Sequence, residues 1–312
     1  LMVLVSVIIP LYNKKNYIGR TIQSVLEQTI RDFEIIVVDD GSLDGSSDVV
    51  KSFHDNRIQL FSQKNQGVSA ARNNGVKKAA ADFLAFLDAD DEWLPNHLQT
   101  LLRLRNNYPD AGAFTTAYSI LEAGEKIRPT RYIAIPAYPW EGLIPNYFKS
   151  AVLGDSPMNS SSIGIPRIVF NEFGGFPEGA WWGEDTDLFG KIALKYPIAF
   201  SWEIGAVYHW DAKNRVCGKP SLTPEPFVTF ARNELKNNRV SDFFSTDLEE
   251  YVARKEIYRA ASHLYIGNNL EARNILKNIQ TGVFKTRKNL LLLLSIFPVS
   301  LNRAALRCYF SS

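Results

Sequence analysis

The chain has 312 residues, which is enough for one large domain or two ordinary ones. Hydrophobic residues make up 46% and charged residues 22%, a globular composition that excludes a disordered or low-complexity chain. Lys and Arg number 35 against 33 Asp and Glu, so the net charge of +2 argues against binding of nucleic acid through its phosphates. The two cysteines, Cys217 and Cys308, suit neither a disulfide framework nor a zinc cluster, which favours a cytoplasmic location.

The apolar N-terminal run predicts a strand. It lacks the basic start and the small-residue cleavage site of a secretory signal, so no such signal is expected. A second apolar block, 290–299, contains Pro298 and is shorter than the roughly 20 residues that cross a bilayer. We therefore expect no transmembrane helix.

Short β-rich runs alternate with amphipathic helical stretches over residues 1–100, which predicts an α/β fold with a mainly parallel sheet flanked by helices. The predicted strands and helices are strands 3–10, 33–39, 58–62 and 83–87 and helices 17–28, 44–53 and 68–80. Another helix is predicted to begin at Pro95 and Asn96.

The pattern is less regular after Ala111. The predicted elements are strands 113–121, 160–166, 198–202 and 206–210 and helix 184–196, with a proline- and aromatic-rich stretch over 130–145. Three prolines within 219–226 predict a domain boundary. The sequence after it predicts helices, and 259–279 resembles one tetratricopeptide-type helix-turn-helix unit. We predict a domain over 1–218, with halves 1–100 and 101–218, and a helical extension over 219–312.

Polar and acidic side chains follow three of the predicted strands, at the sheet edge where parallel α/β folds bind ligands. The segments are 10–13, 39–42 and 88–91. Glycine fingerprints of dinucleotide sites and P-loops are missing from the sequence. Carboxylates can instead hold a diphosphate through Mg²⁺ or Mn²⁺, which take oxygen ligands from one or two carboxylates and from substrate phosphates.

Four motifs, in this order along the chain, resemble family 2 glycosyltransferases of the GT-A fold. They are VSVIIPLYN at 5–13, IIVVDDGS at 35–42, GVSAARN at 67–73 and DADD at 88–91. The likeness extends more loosely to 174–176 and 183–188. It covers about two thirds of the chain and implies a GT-A type Rossmann-like sheet with a nucleotide-sugar site.

The resemblance implies a donor site in the first half of the chain. Pro10 and Tyr12 would cradle the nucleotide base, Asp40 would accept from its imide N–H, and Asp39 would orient the loop. Arg72, at the start of a helix, would contact an anionic group or a base edge.

The resemblance also implies a metal site for Mn²⁺ or Mg²⁺. Asp90 would coordinate the cation and Asp88 would face the ribose or a metal-bound water. His209, after a late strand, is a candidate third ligand or a structural histidine. Asp91 is expected to cap the following turn.

The base that takes the acceptor proton is expected to be Asp185. Glu184 lies beside it at a positive helix end, where both carboxylates should stay ionised. Trp181 and Trp182 would stack on an acceptor sugar or belong to the core.

The function that the resemblance implies is inverting, non-processive transfer of a sugar from a UDP-linked donor to a hydroxyl of a glycan or lipid-linked precursor. Two alternatives stay open at this point: a Rossmann-type methyltransferase or oxidoreductase, and a non-catalytic sugar-binding or scaffold module. Two further contacts also stay open: a homodimer, and a peripheral contact of 285–307 with the inner face of a membrane, because basic residues flank its leucine run.

Overall fold

The computed structural model describes residues 3–122, 126–212 and 219–307, so the predictions for Cys217 and Cys308 lie outside the described residues. The chain divides into two compact units, Leu1–Ala212 and Lys213–Ser312. The strands of the first unit are β1 Val5–Leu11, β2 Phe33–Asp39, β3 Ile58–Ser62, β4 Phe83–Phe86, β5 Glu92–Trp93, β6 Ala113–Glu122, β7 Lys126–Pro129, β8 Glu141–Leu143, β9 Ile163–Pro166 and β10 Ile198–His209. Its helices are α1 Ile18–Leu26, α2 Ser46–Lys51, α3 Val68–Lys78, α4 His97–Asn107, α5 Tyr147–Leu153, α6 Arg167–Glu172 and α7 Glu184–Lys195.

The strands of the first unit form one sheet in the order β3-β2-β1-β4-β9-β6-β10-β5, with β7 beside β6 and β8 beside β10. Strands β3, β2, β1 and β4 are parallel neighbours, and β6 pairs parallel with β10. The insertion of β9, antiparallel to both β4 and β6, keeps these two groups running in one direction. The prediction of an α/β fold with a mainly parallel sheet is therefore confirmed.

Burial on both faces explains why the first strands were easy to predict. Every residue of β1 and β2 is buried, because helices cover both sides of a parallel sheet. The structure corrects two points further along the chain. The predicted strands 198–202 and 206–210 are one strand, β10, whose pairing with β6 shifts register between Ser201 and Ala206. The two-residue strand β5 is too short to give a sequence pattern.

The second unit contains the helices α8 Pro226–Lys236, α9 Asp242–Ile266, α10 Asn269–Lys277, α11 Lys285–Leu294 and α12 Val299–Ala305. Helix α9 ends at Gly267, whose φ of 95° is a left-handed conformation that glycine adopts without strain. Asn268 then caps α10, so a helix-turn-helix lies where 259–279 predicts one. No helix of the described residues is long and apolar enough to cross a membrane.

Candidate functional site

The loops that follow β1, β2 and β4 lie at the same edge of the sheet. Leu11 pairs with Asp39 at the ends of β1 and β2, and the backbone N–H of Asp40 donates to the Leu11 carbonyl at 2.8 Å. The N–H of Leu87 donates to the Ile8 carbonyl at 3.1 Å, so β4 ends beside β1. Since the three strands are parallel, the predicted donor and metal loops leave the sheet together.

Hydrogen bonds tie the first two loops to each other. The Asn13 N–H donates to Ser42 Oγ at 2.9 Å, and Asn13 Oδ1 accepts from the Leu43 N–H at 2.9 Å. Asn13 has a φ of 52°, a left-handed conformation that asparagine tolerates better than most residues. Pro10 is buried in β1, whereas the side chain of Tyr12 is 48% exposed. The loop therefore presents an aromatic ring to solvent on a braced backbone.

Asp40 is buried and holds the segment that leads into α3. Its Oδ1 accepts from Gln63 Nε2 at 2.8 Å and from the Gln66 N–H at 2.9 Å, and its Oδ2 accepts from the Gly67 N–H at 2.8 Å. A carboxylate has about four lone-pair sites, so three donors leave room for one more. Contact with a nucleotide base stays a prediction for Asp40. Asp39 accepts from the Ser42 N–H at 2.9 Å, which suits its predicted loop-orienting role.

Arg72 joins the acidic loop after β4 to the start of α7. Its Nη2 lies 2.7 Å from Asp88 Oδ1 and its Nη1 lies 3.0 Å from Glu184 Oε1. The side chain is buried, and its guanidinium carbon lies 5.0 Å from the centre of the Phe176 ring. Burial by itself would lower the pKa of Arg72, but the charges of Asp88, Glu184 and Asp185 outweigh burial and raise it. The arginine therefore stays charged and bridges two parts of the site, while its predicted donor contact stays a prediction.

The predicted metal residue Asp90 has a cationic side chain beside it. Lys14 Nζ lies 2.5 Å from Asp90 Oδ2, and Arg20 donates to the Asp90 carbonyl at 2.9 Å. The side chains of Asp88 and Asp90 are 30% and 14% exposed. Carboxylate oxygens at a solvent-accessible strand end are ligands of the kind that Mg²⁺ and Mn²⁺ prefer when a substrate supplies the remaining ligands.

His209 is not brought into a cluster with Asp88 and Asp90. The ring is buried, with Nε2 2.6 Å from Glu92 Oε1 and Nδ1 3.1 Å from Asp211 Oδ1. Within the described ranges, no group of three or more His, Cys, Asp and Glu side chains could by itself hold a metal ion. A cation held by Asp88 and Asp90 together with a ligand stays a prediction, and so does a third ligand from His209.

Asp91 does not serve as the turn cap that the sequence predicts. Its carboxylate is fully buried, where it accepts from the His209 N–H at 2.9 Å and from Ser161 Oγ at 2.5 Å. Burial, together with the charges of Asp90 and Asp88, raises the pKa of Asp91 well above its ordinary value. Asp91 thus fixes the acidic loop to the second half of the sheet, a role that depends on distant residues.

The predicted base lies at the first turn of α7. Gly183, with a φ of 74°, precedes Glu184 and Asp185, and the Thr186 N–H donates to Asp185 Oδ1 at 2.7 Å. Burial and the Asp185 charge raise the pKa of Glu184, although Arg72 acts against both. This direction is opposite to the one expected from the positive helix end alone, because burial was not visible in the sequence.

The two tryptophans before α7 differ in exposure. Trp181 is 48% exposed and Trp182 is partly buried, with their ring centres 6.3 Å apart. Trp181 can therefore offer a ring face to a sugar, as its predicted acceptor role requires, and Trp182 can offer only part of its ring. An acceptor role for both stays a prediction.

Sequence reasoning missed the groups that support the acidic loop. Lys14 and Arg20 follow β1, Ser161 precedes β9, and Thr21 Oγ1 donates to the Asp91 carbonyl at 2.8 Å. The sequence signal for Lys14 and Arg20 was their presence among the cations that follow the first motif. Their partner residues lie about 70 positions away in the chain, so the signal did not identify them.

Comparison with known proteins assigns the family. The family model described as "Glycosyl transferase family 2" matches residues 6–161. An uncharacterized glycosyltransferase of Rickettsia conorii is 28% identical over 95% of this chain and 48% of its own length. An uncharacterized glycosyltransferase of Rickettsia bellii is 46% identical over 61% of this chain and 26% of its own length. The chain thus spans half or less of the length of these relatives.

A solved structure with a similar fold is residues 1–349 of S. aureus TarS, crystallised in complex with UDP-GlcNAc. It has a TM-score of 0.66 and 18% identity, and the likeness covers 98% of this chain and 92% of that one. At this identity the likeness shows the fold, which is GT-A. The family match decides against the methyltransferase and oxidoreductase alternatives, because it covers the strand-end loops that those alternatives reinterpret. The strand-end acidic loop, the fold and the matched half of the chain together show that this protein belongs to glycosyltransferase family 2.

Proposed function

We propose that the chain transfers one sugar at a time from a UDP-linked donor to a hydroxyl of a glycan or lipid-linked precursor, with inversion at the sugar carbon. The observation that carries the proposal is the Arg72 bridge. One guanidinium holds both Asp88, in the acidic loop, and Glu184, the neighbour of Asp185. A direct displacement needs the leaving group and the base close to one sugar carbon, and this bridge keeps their candidate residues together.

The donor half of the site is built from residues of the first two loops. Tyr12 offers an exposed ring for stacking on a base, and Asp40 has acceptor capacity left for an imide N–H. Asn13 and Ser42 brace the loops on either side. The choice of UDP is supported by the UDP-GlcNAc that is bound to the similar fold of S. aureus TarS.

Asp90, with Asp88, would hold Mn²⁺ or Mg²⁺ together with the donor diphosphate. When bound, the cation neutralises charge that develops on the leaving diphosphate. The Asp90 carboxylate already attracts a positive group, since Lys14 Nζ lies 2.5 Å from Asp90 Oδ2. Arg72 supplies a second, permanent positive charge beside Asp88, and the Asp91 anchors keep the loop in place.

The acceptor half of the site lies at the start of α7. Asp185, in the first turn of α7, would take the proton of the acceptor hydroxyl as the oxygen attacks the sugar carbon. Glu184 is fixed by Arg72 and would orient the acceptor. Trp181, with Trp182 behind it, would stack on the apolar face of the acceptor sugar.

Donor binding tests the proposal directly. We would measure binding of UDP-, GDP- and dTDP-sugars to the purified chain by calorimetry, with and without Mn²⁺, and follow their slow hydrolysis. We expect binding of a UDP-sugar that strengthens with Mn²⁺. The variant Asp90→Asn should lose this metal dependence and its turnover while its thermal unfolding stays cooperative. A chain that binds none of the nucleotide-sugars under any of these conditions would refute the proposal.

The assignment of the base has its own test. Asp185→Asn should lower turnover by 10²-fold or more, as expected for loss of a general base, and leave donor affinity almost unchanged. Asp48→Asn, at an exposed carboxylate on α2, serves as the control and should change neither quantity. Loss of donor binding in Asp185→Asn would remove the assignment of this residue as the base.

A further inference from the structure

The last two helices expose an apolar surface that the fold does not use. Helix α11 buries Leu291, and the segment after it buries Ser295, Asn302 and Leu306. Leu291 and Leu306 belong to the core that α9 and α10 build. The opposite side of these helices carries large apolar side chains in water. We call this surface the C-terminal apolar patch; its members are Ile266, Leu270, Leu290, Leu293, Ile296, Phe297 and Leu301.

The members of the C-terminal apolar patch are strongly exposed and adjoin one another. Ile296 is 70% exposed, Leu290 and Leu293 are 55% and 54% exposed, and Leu270 is 73% exposed. Asn269 Nδ2 donates to the Phe297 carbonyl at 2.9 Å, which sets the start of α10 beside the turn between α11 and α12. Exposed apolar surface of this extent marks a site of contact with another molecule.

The charge on α11 and α12 has one sign. Residues 278–307 contain five cations and no Asp or Glu; the cations are Lys285, Arg287, Lys288, Arg303 and Arg307. Lys285 lies at the first turn of α11 and is exposed, as are Leu290 and Leu293 further along the same helix. A second copy of the chain docked through this surface would bring like charges together. An anionic surface would instead be attracted.

We infer that the C-terminal apolar patch docks the chain on an anionic lipid surface, with α11 and α12 lying in the interface. The apolar side chains would enter the boundary of the acyl chains while the cations face the lipid headgroups. A nucleic acid would satisfy the cations but would leave the leucines and Ile296 in water. This inference does not depend on the proposed activity, so binding tests it whether or not a sugar is transferred.

Vesicle flotation with the full chain tests the inference. Vesicles of phosphatidylcholine alone are compared with vesicles that also contain phosphatidylglycerol, at low and high salt. We expect binding to the anionic vesicles only, weakened by salt because the charges involved are exposed. Lys285→Ala and Arg307→Ala should each weaken binding about fivefold.

The apolar contribution is tested separately. Leu293→Asp should weaken vesicle binding at least tenfold, whereas Ile168→Asp, at a 79% exposed residue of α6, should leave it unchanged. Lys285→Ala replaces an exposed side chain and should fold normally, so it keeps the test valid if Leu293→Asp misfolds. Two binding results would overturn the inference: no binding of the parent chain to anionic vesicles, or binding by Leu293→Asp that equals that of the parent chain. A parent chain that does not bind vesicles but forms a dimer, which Leu293→Asp dissociates, would also overturn it.

Discussion

Replacing Arg72 by methionine tests the bridge on which the site depends. Methionine retains much of the side-chain volume against Phe176 but removes the charge that Asp88 and Glu184 share. Removal of one partner from a buried ion pair costs about 3 to 5 kcal/mol, since the other charge is left without compensation. Asp88 is 30% exposed and can be rehydrated, whereas Glu184 is 14% exposed. We therefore expect a loss of about 3 kcal/mol at neutral pH, the lower end of that range.

The loss should depend on pH with a definite sign. Burial and Asp185 already raise the pKa of Glu184 above its ordinary value of 4.5, and Arg72 is the group that limits the rise. A raised carboxyl pKa means that the native state binds more protons than the unfolded state. The free energy of unfolding then falls as pH rises from 4.5 through the pKa of the folded state. Arg72→Met extends this interval upward, so the difference from the parent protein should grow with pH and shrink toward pH 4.5.

Urea and thermal unfolding at several pH values measure the effect. A loss of about 3 kcal/mol corresponds to a fall in Tm of about 6 to 12 °C for a unit of this size. Arg72→Lys keeps the charge but cannot span two carboxylates, so its loss should be intermediate. Lys51→Met is the control, because Lys51 and Asp48 form an exposed pair expected to contribute less than about 1 kcal/mol. A loss in Arg72→Met that is no larger than in this control, or that does not change with pH, would refute the reasoning.

Two further predictions concern the supports of the site. Asp91→Asn should change stability by less than about 1 kcal/mol at acid pH, and it should flatten the decline in stability with rising pH that the raised pKa of Asp91 implies. Asp91→Ala leaves the hydroxyl hydrogen of Ser161 and the His209 N–H without an acceptor and should cost about 2 to 5 kcal/mol in urea unfolding. Gly67→Ala should cost about 1 to 3 kcal/mol because φ is +91° there, although the new methyl group meets no atom within 4 Å. Gly19→Ala, inside α1 with ordinary contact to Val49, should instead stabilise by about 1 kcal/mol, and equal signs for these two alanines would contradict the argument from backbone conformation.

Local patterning was sufficient for the first half of the fold. The predicted strands 33–39 and 58–62 coincide with β2 and β3, and α3 begins at Val68 after Gly67 as predicted. The predicted elements agree less well with the structure where strand pairing, rather than local hydrophobic pattern, determines their bounds. The two short strands predicted between Ile198 and Trp210 are one strand, since pairing with β6 carries the chain through an irregular register that the sequence reads as a break.

The order of the motifs along the chain determined the family, the parallel sheet and the three loops that share one edge, because strand direction alone brings these loops together. Tertiary structure alone decided the partners of the charged groups in these loops. Arg72 meets Glu184 across 112 positions of sequence, and His209 meets Glu92 across 117. Their side chains depend on burial and on the path of the chain between them, which no local pattern encodes. The candidate residues of the site can therefore be predicted from the sequence, but the charged groups that surround them cannot.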